Sequence, residues 1–204
     1  MKIWGRISGK KEGKKINVAI FASGAGSNAQ KIILSNPSYN IALIVCNKPE
    51  AGVLKIAAEH HIPTLLIEKE RFFKEDTYLE ILKGHKIDFI VLAGFLWKIP
   101  AKLIGAYPNK IINIHPALLP NYGGKGMYGS RVHEAVIAAK EKESGISIHY
   151  VDELYDHGNI IFQAKCEICE DDTADTLAQK IHALEHQHFP ETIEQAIQQM
   201  QKQR

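Results

Sequence analysis

An amide and an imidazole stand two residues apart in an apolar stretch near the middle of the chain. Residues 111–116 read IINIHP, so Asn113 and His115 alternate with isoleucines. Side chains two apart in a strand point to the same face, and both polar groups therefore project together where Pro116 ends the strand. Such a pair suits the stabilisation of a carbonyl oxygen that gains negative charge, together with proton transfer. The alternative is a core histidine whose ring is satisfied by a backbone carbonyl.

An acidic turn lies downstream, in the sequence HYVDELYDHG of residues 149–158. Asp152, Glu153 and Asp156 follow a predicted strand, which would bring them close to the same edge of the fold. A carboxylate near an imidazole favours the protonated ring and fixes its orientation. For His149, at the start of this stretch, a supporting role in the site and a plain structural role are both open.

A glycine-rich loop, GAGSNA at residues 24–29, follows the apolar run INVAIFAS and opens a helical pattern. Glycines let the backbone approach an anion, and the first free amides of a helix bind it. The second predicted strand ends in Asn47, where a dinucleotide site requires an acidic residue for the ribose. This favours a single phosphate, with a tight turn that binds no ligand as the alternative. Amide, imidazole and carboxylate beside a phosphate site suggest acyl transfer onto a phosphorylated amine.

The remaining pattern supplies the elements that must position these groups. Apolar runs of strand length (IALIVCN, TLLIE, DFIVLAG) alternate with helical stretches, which is typical of a parallel sheet covered on both faces. Beyond residue 120, GISIHYVDE and NIIFQAKCEI predict two antiparallel strands, and a closing helix is expected to be interrupted near Pro190. We therefore predict an α/β fold, a Rossmann-like three-layer domain with a mostly parallel mixed sheet. It covers residues 16–204 as a single domain, after a basic lead-in at residues 1–15.

Composition limits the classes of function. The chain has 204 residues, of which 45% are hydrophobic, and a formal net charge of +2, so it can bury a core and gives no reason to expect nucleic acid as a partner. No apolar run approaches the roughly 18 residues that span a bilayer. Three cysteines do not suggest a disulfide framework. We expect a cytoplasmic protein that acts on small molecules, as a monomer or homodimer, without membrane association.

Four residues have the spacing of a classical zinc finger: Cys166, Cys169, His182 and His186. The context argues against a finger. Thr173 and Gln179 stand where its small apolar core is needed, and the sequence EDDTAD would repel DNA phosphates. We therefore expect no metal at these residues.

Four segments occur in an order that is specific for one group of enzymes: ASGAGSN, VLAGFLWKIP, INIHPALLP and HYVDELYDHGNIIFQ. They resemble the folate-dependent formyltransferases, and the S-G-x-G-S-N loop resembles the branch that formylates glycinamide ribonucleotide (GAR) in purine biosynthesis. The resemblance covers about residues 16–200. It implies formyl transfer from 10-formyltetrahydrofolate, a co-substrate, to the amine of GAR, with no metal.

The resemblance also implies roles for individual residues. Asn113 would polarise the formyl group, His115 would act as general acid and stabilise the tetrahedral intermediate, and Asp156 would raise the pKa of His115. The phosphate of GAR would bind at Gly26, Ser27 and Asn28, its amine at Glu185, and folate at Leu96, Trp97, Lys98, Ile99 and Asn113. A second basic folate contact falls to Arg71 or Lys74, and the loop at residues 121–130 receives no role.

Other functions remain open on this evidence. A methionyl-tRNA formyltransferase would carry an RNA-binding domain, and a formyl-folate hydrolase a regulatory domain, and we expect neither in a chain of this length. A nucleotide-binding module without formyl chemistry is the alternative from a different class. It predicts that replacement of His115 leaves function intact.

Overall fold

A single mixed sheet organises the part of the chain that the computed structural model describes, residues 15–202. Of the predicted basic lead-in, residues 1–15, only Lys15 lies within this range. The strand order is β3-β2-β1-β4-β5-β6-β7. The strands are β1 (Asn17–Ala22), β2 (Asn40–Cys46), β3 (Thr64–Leu66), β4 (Phe89–Leu92), β5 (Ile111–His115), β6 (Glu143–Tyr150) and β7 (Ile160–Glu167). The helices are α1 (Ser27–Leu34), α2 (Gly52–Glu59), α3 (Lys69–Lys74), α4 (Thr77–Gly84), α5 (Ala101–Ala106), α6 (Ser130–Ala138) and α7 (Ala174–Lys202).

Strands β1 to β5 pair in parallel, and β5–β6 and β6–β7 pair antiparallel. The prediction of a mostly parallel mixed sheet is confirmed, including the antiparallel pairing of the last two strands. Helical crossovers join the parallel strands. The chain reverses direction at β6, after the long segment that contains α6, and a short loop joins β6 to β7.

Apolar side chains on both faces of the sheet form two core layers. In β1, Val18 and Ile20 pack towards α1, α2, α6 and α7, whereas Ala19 and Phe21 pack towards α3, α4 and α5. This alternation explains why the strand has no polar residue after Asn17. Each large side chain buried in this way contributes about 1.5–3 kcal/mol to folding.

The closing helix corrects one prediction. We expected an interruption near Pro190, but α7 continues through it to Lys202. Buried residues lie on both sides of the proline, with Ile181 before it and Ile193 and Ile197 after it. Burial of this continuous face outweighs the roughly 3 kcal/mol that a proline costs inside a helix.

The sheet brings the ends of distant segments together. Because β1, β4 and β5 are parallel neighbours, their carboxyl ends lie at one edge, and the Ser23 amide donates to the carbonyl of Gly94 at 3.0 Å. Ligands of open α/β sheets bind at this edge. Of the helices between residues 15 and 202, none is both long and apolar enough to cross a membrane.

Candidate active site

A cavity of about 680 Å³ opens at the carboxyl edge of the sheet. Its walls come from the turn before α1, the segment between β4 and α5, the end of β5, the loops after β5 and β6, and α7. The residues predicted for the phosphate, amine, folate and catalytic sites all line it: Gly26, Ser27, Asn28, Leu96, Trp97, Lys98, Ile99, Asn113, His115, Asp156 and Glu185.

His115, the last residue of β5, is held by two groups. Its Nε2 lies 2.8 Å from the main-chain carbonyl of Tyr122, and its Nδ1 lies 3.6 Å from Oδ2 of Asp156. A carbonyl only accepts hydrogen bonds, so Nε2 carries a proton and Nδ1 of the neutral ring is a lone pair. The ring is 3% exposed. Both interpretations of this histidine hold in part. Its ring donates to a backbone carbonyl, as expected of a core histidine, and it also lines the cavity, as expected of a residue of the site.

The charge of His115 differs from the expectation. Burial lowers the pKa of His115, and this outweighs the Asp156 carboxylate and the Tyr122 hydrogen bond, both of which raise it. We expected Asp156 to raise the pKa of His115, and it does, but burial outweighs it and the net direction is downward. Burial raises the pKa of Asp156, but contacts with His149, His115 and the Gly124 amide lower it by more, so its net direction is downward too. These directions favour a carboxylate at Asp156 and the uncharged form of the His115 ring.

Asn113 faces His149 across the antiparallel pair of β5 and β6. The amide nitrogen of Asn113 lies 3.1 Å from Nε2 of His149 and 3.4 Å from Oδ1 of Asp156. Nε2 of His149 is itself 3.7 Å from the same carboxylate oxygen. The site thus contains two histidines, one on each oxygen of Asp156, with the amide between His149 and the carboxylate.

The glycine-rich loop ends at the start of α1. Gly26 has φ of 84°, in the left-handed region that favours glycine, and a Cβ there would lie 2.8 Å from Cα of Val53. No side chain caps the helix, which leaves the first amides, from Ser27 onwards, available to an anion. This is the geometry of an anion site at a helix start.

Asn28 connects this loop to the residue predicted to bind the amine. Its Nδ2 donates to Oε2 of Glu185 at 2.8 Å, although the two residues lie 157 positions apart. Glu185 is 6% exposed, and burial raises the pKa of its carboxyl, while Asn28 and the nearby His182 oppose that shift. A buried carboxylate with one donor is suited to bind a cation, because a second positive partner offsets the cost of burial.

The predicted folate segment forms an apolar wall between β4 and α5. Its start is fixed by the Leu96 amide, which donates to Oγ of Ser23 at 3.0 Å. Trp97 packs against three phenylalanines with ring centroids 5.9–6.2 Å away: Phe72, Phe73 and Phe95. Nζ of Lys98 lies 5.5 Å from the centre of the Tyr155 ring, and both residues line the cavity.

The two candidates for a second basic folate contact lie elsewhere. Arg71 and Lys74 are on α3, a helix the sequence analysis did not predict, and neither lines the cavity. They pair with Glu75 at 3.3 Å and Glu70 at 2.7 Å. Lys98, by contrast, lines the cavity.

Several cavity residues were not predicted from the sequence: Lys48, Lys125, Arg131, His133, Tyr155 and His182. Lys48 follows the end of β2, so the rule that ligands bind at carboxyl ends of strands would have found it. Spacing gives no signal for the others. The Nδ1 of His133 is buried and has no partner within residues 15–202.

Within residues 15–202, no three His, Cys, Asp or Glu side chains form a group that could hold a metal ion. Of the residues with zinc-finger spacing, Cys166 is half-buried on β7 and Cys169 is exposed. The rings of His182 and His186 stack on α7 with centroids 6.3 Å apart.

Comparison with known proteins places this geometry in a family. The formyl transferase family model matches residues 16–193. This chain belongs to the formyl transferase family. It is 41% identical to a phosphoribosylglycinamide formyltransferase of Bacillus subtilis, a match that covers 88% of this chain and 93% of the relative. It is 38% identical to each of the chloroplastic proteins of that name from Arabidopsis thaliana and Vigna unguiculata, covering 89% of this chain but only 65% and 61% of theirs.

Solved structures agree with this assignment. The phosphoribosylglycinamide formyltransferase of Bacillus halodurans superposes with a TM-score of 0.81 at 39% identity, covering 88% of this chain and 94% of that one. Glycinamide ribonucleotide transformylase 1 of Geobacillus kaustophilus gives 0.82 at 33% identity, covering 89% and 98%. A formyltetrahydrofolate deformylase of Pseudomonas syringae, at 22% identity and a TM-score of 0.77, shares the fold.

Proposed function

We propose that this formyl transferase moves the formyl group of 10-formyltetrahydrofolate to the amine of GAR. The products are formylglycinamide ribonucleotide and tetrahydrofolate, a step of purine biosynthesis. The observation that carries the proposal is the shared cavity, in which Asn28 and Glu185 lie beside Asn113, His115 and Asp156. The relatives named for this activity support it.

The acceptor binds at the end of the cavity formed by α1 and α7. Its phosphate is held by the amides after Gly26 and by the Ser27 hydroxyl, where the positive end of the helix favours an anion. The Glu185 carboxylate, fixed by Asn28, attracts the ammonium group of the glycyl arm. Transfer of one proton from that group to the solvent gives the nucleophile.

The folate co-substrate occupies the opposite end, against the wall of Leu96 to Ile99. A cavity of about 680 Å³ is within the usual size of ligand sites, about 300–1,000 Å³. The aromatic packing behind Trp97 makes this wall rigid, which suits a flat ring system. Asn113 and His115 line the same cavity, in which the formyl group must meet the amine.

The proposed chemistry uses the uncharged form of the His115 ring, which burial favours. The amine nitrogen bonds to the formyl carbon, negative charge develops on the formyl oxygen, and an N–H of Asn113 stabilises it. The amine then loses a proton to Nδ1 of His115, and the resulting imidazolium lies 3.6 Å from the Asp156 carboxylate. Cleavage of the bond to N10 of the folate returns the proton to that nitrogen.

We also propose that the enzyme is cytoplasmic and works as a monomer or homodimer without a metal. Size measurement in solution would test the oligomeric state, and assay with and without a chelator would test the absence of a metal.

Turnover of the two substrates tests the main proposal. Purified protein should convert GAR and 10-formyltetrahydrofolate into the formylated product, and His115→Ala should lower kcat by about 10²–10⁴-fold. His157→Ala is the matched control, because His157 is an exposed histidine of the neighbouring loop. An inactive wild-type enzyme contradicts the proposal. Release of formate without GAR indicates a hydrolase, and ligand binding without turnover indicates a nucleotide-binding module.

A further inference from the structure

His149 lies directly opposite Asn113 on the neighbouring strand, and the sequence left its role open. The imidazole is 2% exposed, so its hydrogen bonds are set by the protein. Its Nδ1 is 2.8 Å from the carbonyl oxygen of Tyr150. Because a carbonyl only accepts, Nδ1 carries a proton, and Nε2 can accept a hydrogen bond when the ring carries no second proton.

This tautomer determines the orientation of the Asn113 side chain. The polar atom nearest to Nε2 of His149 is the Asn113 amide nitrogen at 3.1 Å, and this nitrogen only donates. One of its hydrogens therefore points to His149. The inverted amide would place its carbonyl oxygen against the lone pair of Nε2 and near the Asp156 carboxylate, so both contacts would be repulsive.

The second hydrogen of the amide is held more loosely. It faces Oδ1 of Asp156 at 3.4 Å, which is longer than the usual 2.7–3.2 Å of an N–H···O hydrogen bond. A carbonyl oxygen of a ligand in the cavity can therefore take it. No other side chain within residues 15–202 makes a hydrogen bond to the Asn113 amide. His149 and Asp156 alone decide which end of that amide the ligand meets.

We propose that His149 is a positioning residue that, as its Nδ1–H tautomer, directs the amide nitrogen of Asn113 towards the formyl oxygen. The inference rests on the proposed formyl transfer for its catalytic consequence, but the hydrogen-bond arrangement is independent of the substrate. His149 acts through Asn113 and need not contact the reacting atoms. Its loss should therefore lower kcat and leave substrate binding intact.

A double-mutant cycle tests the coupling. His149→Leu should lower kcat about 10–100-fold, less than the 10²–10³-fold loss of a direct oxyanion donor, with both KM values within about twofold of wild type. Asn113→Leu should lower kcat further, and the double variant should match Asn113→Leu alone. His149→Gln, whose amide oxygen can accept the same hydrogen, should recover part of kcat. Independent, multiplying effects of the two single variants would overturn the proposal.

The tautomer can be measured without turnover or mutation. In protein labelled with ¹⁵N-histidine, the His149 Nδ1 signal should be that of a proton-bearing nitrogen and the Nε2 signal that of a lone pair. This holds for the folded wild type even if His149→Leu fails to fold. A ring with its proton on Nε2, or on both nitrogens at pH 7.5, would refute the arrangement. An inactive wild type with the expected spectrum would contradict only the proposed function.

Discussion

The Nε2–H of His115 donates to the main-chain carbonyl of Tyr122, 2.8 Å away and seven positions further along the chain. The amide of Gly124 donates to Oδ2 of Asp156 at 3.0 Å. The loop to which the sequence assigned no role thus holds both members of the imidazole–carboxylate pair by its backbone. Tyr122 has φ of 56°, a left-handed conformation that aromatic residues rarely adopt, and this is the backbone strain typical of functional sites.

Stability should depend on pH through His115. Burial lowers the pKa of His115 from its ordinary 6.5, so below that pH the unfolded chain binds a proton more readily than the folded one. The free energy of unfolding should therefore fall as the pH decreases from about 6.5 towards the lowered pKa. In His115→Gln this decline should be shallower. Urea titrations between pH 5 and 8 measure it, with His157→Gln as a control that keeps the wild-type slope. An unchanged slope in His115→Gln would contradict the assignment.

Glu185 should contribute to binding at a cost in stability. Burial raises the pKa of its carboxyl above 4.5, so folding becomes less favourable as the pH rises from 4.5 through the raised value. Glu185→Gln keeps an acceptor for Asn28 but removes the buried charge. We expect a higher melting temperature at pH 7.5 and a KM for GAR raised about 10–100-fold, the worth of a hydrogen bond to a charged group. Glu191→Gln, an exposed change on α7, should alter neither quantity. A lower melting temperature for Glu185→Gln would refute this account.

The sequence predicted the parts of the fold that depend on pattern. Strands such as β4 are continuous apolar runs, and Asn113 and His115 share a face because the strand period is two. The prediction that α7 is interrupted near Pro190 was wrong. The helix propensity of proline is a local quantity, whereas the apolar face of α7 packs along the whole helix. Helix α3 was missed, since its six residues are too short to show a helical period.

The charge state of the site depended on quantities that no sequence pattern contains. The resemblance supplied the proximity of Asp156 to His115, but the pKa of His115 is decided by the depth of burial, which only the packed structure gives. The directions of individual side chains could not be predicted from the sequence either. Lys98 contacts the Tyr155 ring and lines the cavity, whereas Arg71 and Lys74 pair with Glu75 and Glu70, four positions away along the chain.

Gly26 should be irreplaceable for two reasons that act together. Its φ of 84° costs an alanine about 1–2 kcal/mol, and the added Cβ would press on Cα and Cβ of Val53 at 2.8 Å. Gly26→Ala should lower the melting temperature and raise the KM for GAR, since α1 must move away from α2. Gly84→Ala is the control, because within residues 15–202 nothing beyond its own helix and chain neighbours lies within 4 Å of the added Cβ, and α4 gains a better helix former. Equal KM values for the two variants would show that the loop does not bind the acceptor.

Lys98 should supply a basic contact to folate, because it lines the cavity, whereas Arg71 and Lys74 do not line it. Its ammonium lies over the Tyr155 ring, a contact worth about 0.5–1 kcal/mol at an exposed site, so a carboxylate of the folate tail can replace that partner. Lys98→Met keeps the apolar stem and removes the charge. We expect the KM for 10-formyltetrahydrofolate to rise about 3–10-fold, with the KM for GAR unchanged and the salt dependence of folate binding reduced. Lys74→Met, which breaks only an exposed pair with Glu70, should resemble wild type. If Lys74→Met weakens folate binding and Lys98→Met does not, the tail runs along α3 instead.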